Sequence, residues 1–332
     1  MMITFIIPVK NDARRLQRCL ASVAANPGVS PEVIVVDNGS TDESATVAGA
    51  AGARVLSVPC KRVGQLRNEA AAIAQGGLLA FVDADHELTT TWIAAAIDVM
   101  RPSDVGAAGA LYVAPDDGTW VQGTYGALRG RTVGHADVRW LGSGNLVVRR
   151  EAFEAIGGFD ETLESCEDVD FCQRLRDAGW RLVADERLVS VHYGDPSTLG
   201  SLFRAERWRG RDNLRVTLRG GVTARDLPSI VSPIVVVLAV PSLLAATAAA
   251  PFTNGRSLSI AVAAAVVFTI IALARTVRIV STGGHWKIAA VARALAVVTT
   301  YELARASAIV TRATHHRPAS APDARPASAP AK

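Results

Sequence analysis

The sequence predicts an α/β fold in which helices cover a parallel sheet, followed by an apolar helical region. Over residues 1–112, short β-branched runs alternate with helix-like stretches, which is the pattern of βα units. The composition changes sharply near Leu227, after which Ile230–Ala250 and Leu258–Ala274 contain no charged residue. A chain of 332 residues is long enough for one large α/β domain and an additional region.

The predicted elements follow from the spacing of apolar and β-branched residues. The expected strands are Ile3–Ile7, Val33–Val36, Arg54–Val58, Leu78–Val82, Leu146–Val148, Arg181–Ala184 and Leu188–Val191. The expected helices are 12–25, 41–52, 63–75 and Glu167–Ala178. Ligands of open α/β sheets bind at the carboxyl ends of the strands, so the polar residues that directly follow these runs are candidate site residues.

Composition and charge narrow the class of protein. With 49% hydrophobic and 20% charged residues, the composition is that of a globular chain. The small net charge of +4 is unevenly distributed, because seven arginines lie between Arg204 and Arg225. Beside an apolar segment, such a run indicates either a solvated helix face or contact with anionic lipids. Few aromatic residues interleave with these arginines, so nucleic acid is not an expected partner.

The cysteines and the N-terminus predict that the first domain folds in the cytosol. The four cysteines form no CxxC pair and lack the spacing of metal ligands, so we expect them to be reduced. The apolar run Met1–Val9 ends at Lys10, too early for a secretory signal.

The segment Val35–Glu43 has two interpretations. Ser40 and Glu43 have the spacing of a capping box, which predicts a strand, a turn and a helix start. That interpretation leaves Asp37, directly after a buried strand, without a partner, and a nucleobase or ribose would supply one. The residues alone leave both interpretations open.

Two carboxylates, Asp83 and Asp85, follow the predicted strand Leu78–Val82. Separated by one residue, they point to the same side and can share a hard divalent cation with substrate phosphates. An ordinary acidic turn is the alternative. The position at the end of a strand in a βα series favours the cation.

Three acidic residues, Glu167, Asp168 and Asp170, open a predicted helix. Acidic side chains complement the helix dipole, but three within four positions exceed what a helix start requires. A carboxylate near an acceptor hydroxyl can act as general base. His192, after the last predicted strand, is either a structural histidine or a further metal ligand.

In this order, the motifs resemble those of the family 2 glycosyltransferases of the GT-A fold. The resemblance covers about residues 2–215 and includes Phe5–Asp12, Val36–Ser44, Leu66–Asn68, Asp83–Asp85, Gly157–Glu161 and Glu167-Asp168. It implies a GT-A-like mixed sheet flanked by helices and inverting transfer from a nucleotide-diphosphate sugar. It also implies Mg²⁺ or Mn²⁺ as cofactor.

The resemblance further implies a role for each matching residue. Pro8, Asn11, Asp37, Arg67 and Asp83 would bind the donor; Asp83, Asp85 and His192 would hold the metal; Asp168 would be the base; and Glu167, Arg207 and Trp208 would contact acceptor or phosphate. Two positions depart from the pattern. Asn38 stands where many members have a second Asp, and Arg204 replaces the Gln of the QxxRW element of processive polysaccharide synthases.

The C-terminal part predicts a membrane region. The expected division is a catalytic domain 1–220, a membrane region 228–312 and a disordered tail 313–332, with spans of about 230–250 and 258–278 and an interfacial or third membrane helix over 286–312. Basic residues flank both outer ends of the hairpin, so the positive-inside rule places the catalytic domain at the cytoplasmic face of the cell membrane. A buried soluble hairpin is the alternative.

Together these features predict metal-assisted transfer of a sugar to a hydroxyl of a sugar or lipid-linked acceptor at a membrane. The alternatives are a processive polysaccharide synthase, a sugar-1-phosphate nucleotidyltransferase and a non-catalytic membrane scaffold. A synthase would need the missing Gln and more spans, and a nucleotidyltransferase would need a Gly- and basic-rich triphosphate loop near the N-terminus. A scaffold would be indicated by loss of the acidic residues, which are all present.

Overall fold

The computed structural model describes residues 2–28, 30–219, 227–249, 256–283 and 286–315. The strands are β1 Ile3–Val9, β2 Glu32–Asp37, β3 Arg54–Ser57, β4 Leu78–Val82, β5 His86–Leu88, β6 Val105–Gly109, β7 His135–Asp137, β8 Asn145–Arg149, β9 Arg181–Asp185 and β10 Ser190–His192. The helices are α1 Ala13–Ala24, α2 Ser44–Ala50, α3 Val63–Ile73, α4 Trp92–Val99, α5 Trp120–Arg129, α6 Arg150–Ala155, α7 Glu167–Asp177, α8 Leu199–Arg209, α9 Asn213–Arg219, α10 Leu227–Ala249, α11 Arg256–Gly283 and α12 Ile288–His315.

The main sheet is mixed, with strand order β3-β2-β1-β4-β8-β6-β9-β7. The strands β1 to β4 run parallel to one another, as the alternation over residues 1–112 predicts. Strand β8 then inserts antiparallel between β4 and β6, so a wholly parallel sheet is wrong and the mixed sheet is confirmed. Because β1, β2 and β4 are parallel, their carboxyl ends lie at one edge of the sheet.

Two hydrophobic cores cover the two faces of the sheet. Alternate residues of β1 belong to different cores, since successive side chains of a strand point to opposite faces. Phe5 packs in the first core against Trp92 of α4, with ring centroids 5.6 Å apart. Ile6 lies in the second core, together with Phe159 and Phe171. Helices on both faces therefore hold the strand ends in fixed positions.

A second, two-stranded sheet forms where the chain returns to the end of β4. Strand β10 pairs antiparallel with β5, and His192 lies directly opposite His86. The predicted strand Leu188–Val191 is thus displaced, because Leu188 ends a short 3₁₀ turn and the strand begins at Ser190. This pairing brings a residue more than one hundred positions away next to the acidic turn.

The capping box predicted for Ser40 and Glu43 is wrong. Helix α2 begins at Ser44, later than expected, and Glu43 makes no capping hydrogen bond with its side chain. Ser40 Oγ instead accepts from the backbone N–H of Asn11 at 3.0 Å. The turn after β2 is therefore fastened to the turn after β1.

Helices α10, α11 and α12 form a bundle joined by a buried polar cluster. Glu302 of α12 accepts a hydrogen bond from Ser232 of α10 and forms an ion pair with Arg275 of α11, whose Nε lies 2.8 Å from Glu302 Oε1. Within the described ranges, one helical segment, Ile230–Ala249, has the length and apolar character to cross a membrane. The second predicted span falls within α11, and the loop between the two lies mostly outside the described residues.

Helix α12 also packs against the α/β domain, on α8 and α5. It buries small and β-branched residues there and in the bundle, among them Ala294, Val297 and Ala304. The helix continues to His315, three residues into the segment predicted to be disordered; the remainder of that segment lies outside the described residues.

Candidate active site

The carboxylates that follow β4 lie at the centre of the site. Asp83 is fixed by its backbone, whose N–H donates to the carbonyl of Gly144 at 3.1 Å. Asp85 Oδ2 lies 3.3 Å from His192 Nε2. Its second oxygen, Oδ1, is buried without a hydrogen-bond partner among the described residues. A buried, unsatisfied carboxylate oxygen fits a divalent cation, which would supply the missing partner.

His192 is oriented for ligation by residues behind it. Its Nδ1 lies 2.9 Å from Asp195 Oδ1, and Asp195 in turn pairs with both Nη atoms of Arg129. Although burial lowers the pKa of His192, the bonds to Asp195 and Asp85 raise it to about 9, so a metal ion at Nε2 would have to displace a proton. A carboxylate behind a histidine is the usual support of a metal-ligating imidazole, since it directs the other nitrogen to the ion.

His86 also belongs to this group, although it is not among the residues that the sequence predicts for the site. Its Nδ1 lies 2.8 Å from Ser190 Oγ, and its ring is 4.6 Å from the ring of His192. Possible ligand atoms of Asp85, His86 and His192 lie within 4.8 Å of one another. Burial, and then the proximity of His192, lower the pKa of His86 to about 4. It is therefore a neutral imidazole, the form that binds metals.

Arg67 holds two acidic residues of the site together. Its Nη2 is 2.7 Å from Asp83 Oδ1, its Nη1 is 2.8 Å from Glu167 Oε1, and the residue is 1% exposed. The resemblance implies a contact with the donor. In the structure the guanidinium is instead engaged by these two carboxylates, and Glu167 also accepts from Ser143. Arg67 and Glu167 both line a cavity that Asp168 also lines, so their predicted contacts with donor and acceptor stay predictions.

Of the three acidic residues at the start of α7, Asp168 has no ion pair within the described residues, whereas Glu167 and Asp170 each pair with an arginine. Asp170 accepts from Arg174 Nε at 2.8 Å, the i,i+4 pair that the helical spacing predicts. Among the described residues, the Asp168 side chain accepts a hydrogen bond from the backbone N–H of Val169, and Asp168 lines a cavity of about 710 Å³. Burial and the adjacent Glu167 raise the pKa of Asp168 to about 7. A carboxyl with this pKa can accept a proton near neutral pH.

Two cavities meet at Asp83. The larger, of about 710 Å³, is lined by both Asp83 and Asp168. The smaller, of about 280 Å³, is lined by Pro8, Asp83 and Asp85. This arrangement suits two ligands that react with each other, one in each cavity.

Asn11 and Asp37, which are predicted to bind the donor, accept hydrogen bonds from backbone N–H groups of the turn after β2. Asn11 Oδ1 accepts from the backbone N–H of Thr41 at 2.7 Å, and Asp37 Oδ1 accepts from that of Ser40 at 3.0 Å. Neither lines the smaller cavity, whereas Asn38 does. The Ser40 backbone thus gives Asp37 a partner in the turn after β2, and the role of Asp37 in donor binding stays a prediction.

Of the two residues that match the end of the QxxRW element, Trp208 lines the larger cavity and Arg207 does not. Trp208 lines the larger cavity with 45% of its area exposed, but Arg207 is exposed on α8 outside that lining. Arg209 lines the cavity instead, and it is one residue beyond the motif.

Residues 4–157 match the family model described as "Glycosyl transferase family 2". The matched segment, which runs from β1 to β8, is thus similar to the glycosyltransferases of this family. The match contains the strand-end residues Pro8, Asp37, Asp83 and Asp85 and ends before α7.

Curated relatives of the glycosyltransferase domain come from bacteria and archaea. Pre-mycofactocin glycosyltransferase of Mycobacterium tuberculosis is 31% identical over 203 residues, which is 57% of this chain and 42% of that protein. Glycosyltransferase AglE of Haloferax volcanii is 26% identical over 237 residues, 67% of this chain and 76% of that protein. The chain thus spans less than half the length of the first relative.

A solved structure shares the GT-A-like fold over nearly the whole chain. The mannosyltransferase PcManGT from Pyrobaculum calidifontis, in complex with GDP-Man and Mn²⁺, superposes with a TM-score of 0.60. It is 18% identical, and the match covers 95% of this chain and 88% of that chain. The GT-A-like mixed sheet flanked by helices is therefore confirmed.

Proposed function

We propose that this glycosyltransferase moves a sugar from a nucleotide-diphosphate donor to an acceptor hydroxyl, with inversion at the anomeric carbon. One observation carries the proposal: Asp168, a carboxylate suited to act as base, lines the same cavity as Asp83, which borders both cavities. The family match and the nucleotide sugar bound in PcManGT support this choice of donor class.

Asp85, His192 and Asp83, with His86 beside them, would hold Mg²⁺ or Mn²⁺. The structure of PcManGT contains Mn²⁺, which supports a divalent ion here. When bound, such an ion neutralises negative charge on the departing diphosphate.

The chain's own residues supply the proton transfer. Asp168 takes the proton of the acceptor hydroxyl as that oxygen bonds to the anomeric carbon. The bond from this carbon to the phosphate oxygen breaks, and its electron pair leaves with the nucleoside diphosphate. A single displacement of this kind inverts the configuration. Arg67 pairs with both Glu167 and Asp83 and would hold their carboxylates in place, so it acts through other residues.

The test compares Asp168→Asn with Asp170→Asn. Loss of the base should lower kcat for transfer by roughly 10²–10⁴-fold, because the amide keeps the shape but cannot accept the proton. Nucleotide affinity in the presence of Mn²⁺ should be unchanged. Asp170, paired with Arg174, is the matched control on the same helix. Near-normal turnover in Asp168→Asn would refute the assignment, and absence of Mn²⁺-dependent donor hydrolysis in the intact protein would favour a scaffold.

We also propose that the chain is attached to the cell membrane with its catalytic domain in the cytoplasm. Large apolar side chains of α10 and α11 are exposed, among them Leu238, Leu244 and Ile270. Exposed large apolar side chains are costly in water, and contact with lipid would remove that cost. Full-length protein should stay in the membrane pellet after alkaline washing. Recovery in the soluble fraction without detergent would contradict the proposal.

A further inference from the structure

The C-terminal helix α12 contributes directly to the large cavity of the α/β domain. Tyr301 and Arg305 of α12 line this cavity together with Asp168. Arg305 is held there by α8, since its Nε lies 2.8 Å from Glu206 Oε2 and its Nη1 3.4 Å from the carbonyl of Arg209. Helix α12 is therefore one wall of the cavity.

The cluster around Glu206 carries a surplus positive charge. Glu206 is fully buried and accepts hydrogen bonds from Tyr125 Oη, from Arg209 Nη1 at 2.9 Å and from Arg305. One carboxylate thus faces two guanidinium groups. Tyr125 does not balance them, because burial and the charge of Glu206 hold its pKa well above the usual value and keep it neutral. Arg129, nearby, is already paired with Asp195.

Both arginines have donors left for a ligand. The Nη2 atoms of Arg209 and Arg305 make no hydrogen bond within the described part of the chain, and both residues line the cavity. A guanidinium presents paired N–H donors whose geometry matches the oxygens of a phosphate. An unbalanced charge in a confined cavity attracts an anion strongly, because little water screens it.

The cavity has both acidic and basic side chains in its lining. Asp83 and Asp168 are acidic, and Arg209 and Arg305 are basic. Trp140 and Trp208, which are 41% and 45% exposed, also line it. A neutral sugar could contact Asp168 and stack on the tryptophan rings, but it would not balance the positive charge of Arg209 and Arg305.

We infer that the acceptor carries a phosphate or diphosphate group, which Arg209 and Arg305 bind while its hydroxyl faces Asp168. The inference rests on the proposed function and specifies its acceptor. A phosphorylated lipid and a soluble sugar phosphate share this chemistry.

The experiment measures phosphate binding by the full-length protein in detergent, saturated with UDP and Mn²⁺ so that the donor subsite is filled. The probes are glucose 1-phosphate and n-decyl phosphate, with n-decanol as the uncharged comparison. Arg209→Met and Arg305→Met should each weaken binding of a phosphate probe by about 10–100-fold, the loss expected for a charge-assisted hydrogen bond. Arg207→Met is the matched control, since Arg207 is exposed on α8 outside the cavity.

Two further variants distinguish loss of phosphate binding from loss of the fold. Arg305→Lys keeps a positive partner for Glu206, yet it should still weaken phosphate binding because one amine cannot contact both groups. Glu206→Gln should strengthen phosphate binding, since it removes the opposing charge. Tighter binding of n-decyl phosphate than of glucose 1-phosphate would assign a lipid source, and the reverse a soluble one.

Unchanged phosphate affinity in the arginine variants would overturn the inference. An equal fall in their affinity for UDP would also overturn it, because the arginines would then serve the donor. Mn²⁺-dependent UDP binding and donor hydrolysis, measured on the same samples, test the proposed function separately. Their failure is therefore distinguishable from failure of the acceptor assignment.

Discussion

Replacing Arg67 with methionine should destabilise the α/β domain far more than a surface substitution. Both Nη groups of Arg67 are bonded to carboxylates at 2.7 and 2.8 Å, and 2% of its side chain is exposed. The variant would leave Glu167, whose side chain is 10% exposed, as a buried charge without its partner. Removing one member of a buried ion pair costs about 3–5 kcal/mol. At about 2–4 °C per kcal/mol, Tm should fall by roughly 6–20 °C.

The assay is thermal unfolding of the full-length protein, followed by tryptophan fluorescence. Arg101→Met is the control, because Arg101 is mostly exposed and its pair with Asp98 is a surface pair worth at most about 1 kcal/mol. The double variant Arg67→Met/Glu167→Gln should recover part of the loss, since it removes the unpaired charge as well. A Tm for Arg67→Met within about 2 °C of the wild type would refute the reasoning.

The remaining predictions concern the reaction and the metal. Asp168 acts as base only when it is deprotonated, and its pKa is about 7. The value of kcat/KM should therefore be constant above pH 7 and fall about tenfold per pH unit below it. A pH profile that falls only below about pH 4 would show that Asp168 has the pKa of an ordinary carboxyl group. Gly194→Ala should weaken Mn²⁺ binding, measured by calorimetry, because a Cβ there would overlap Asp85 Oδ2 and lie 2.9 Å from His192 Nε2. Gly200→Ala, with open space around the added carbon, should bind Mn²⁺ normally.

The parts of the fold that depend on local spacing could be predicted from the sequence. Strand β4 has the predicted bounds, and the pair Asp170–Arg174 follows from helical geometry alone. The position of Asp83 at a strand end follows from the βα alternation, because parallel strands end at one edge of the sheet.

Contacts between distant segments could not be predicted in this way. Arg67 and Glu167 are 100 positions apart, and nothing in the periodicity around either residue indicates that they pair. His86 joins the site only because β5 and β10 pair. A histidine directly after Asp85 is a candidate metal ligand by its residue type. The sequence does not show, however, that β10 pairs with β5 and places His192 opposite it.

The packing of α12 on α8 has a practical consequence for expression. A fragment ending near residue 219 would keep the sheet, Asp168 and the carboxylates after β4. It would lose Arg305, one of the two cations beside the buried Glu206. It would also open the large cavity to solvent on the side that Tyr301 occupies. Such a truncation is a poor substitute for the intact chain in substrate screening, because any ligand that depends on this wall would be missed.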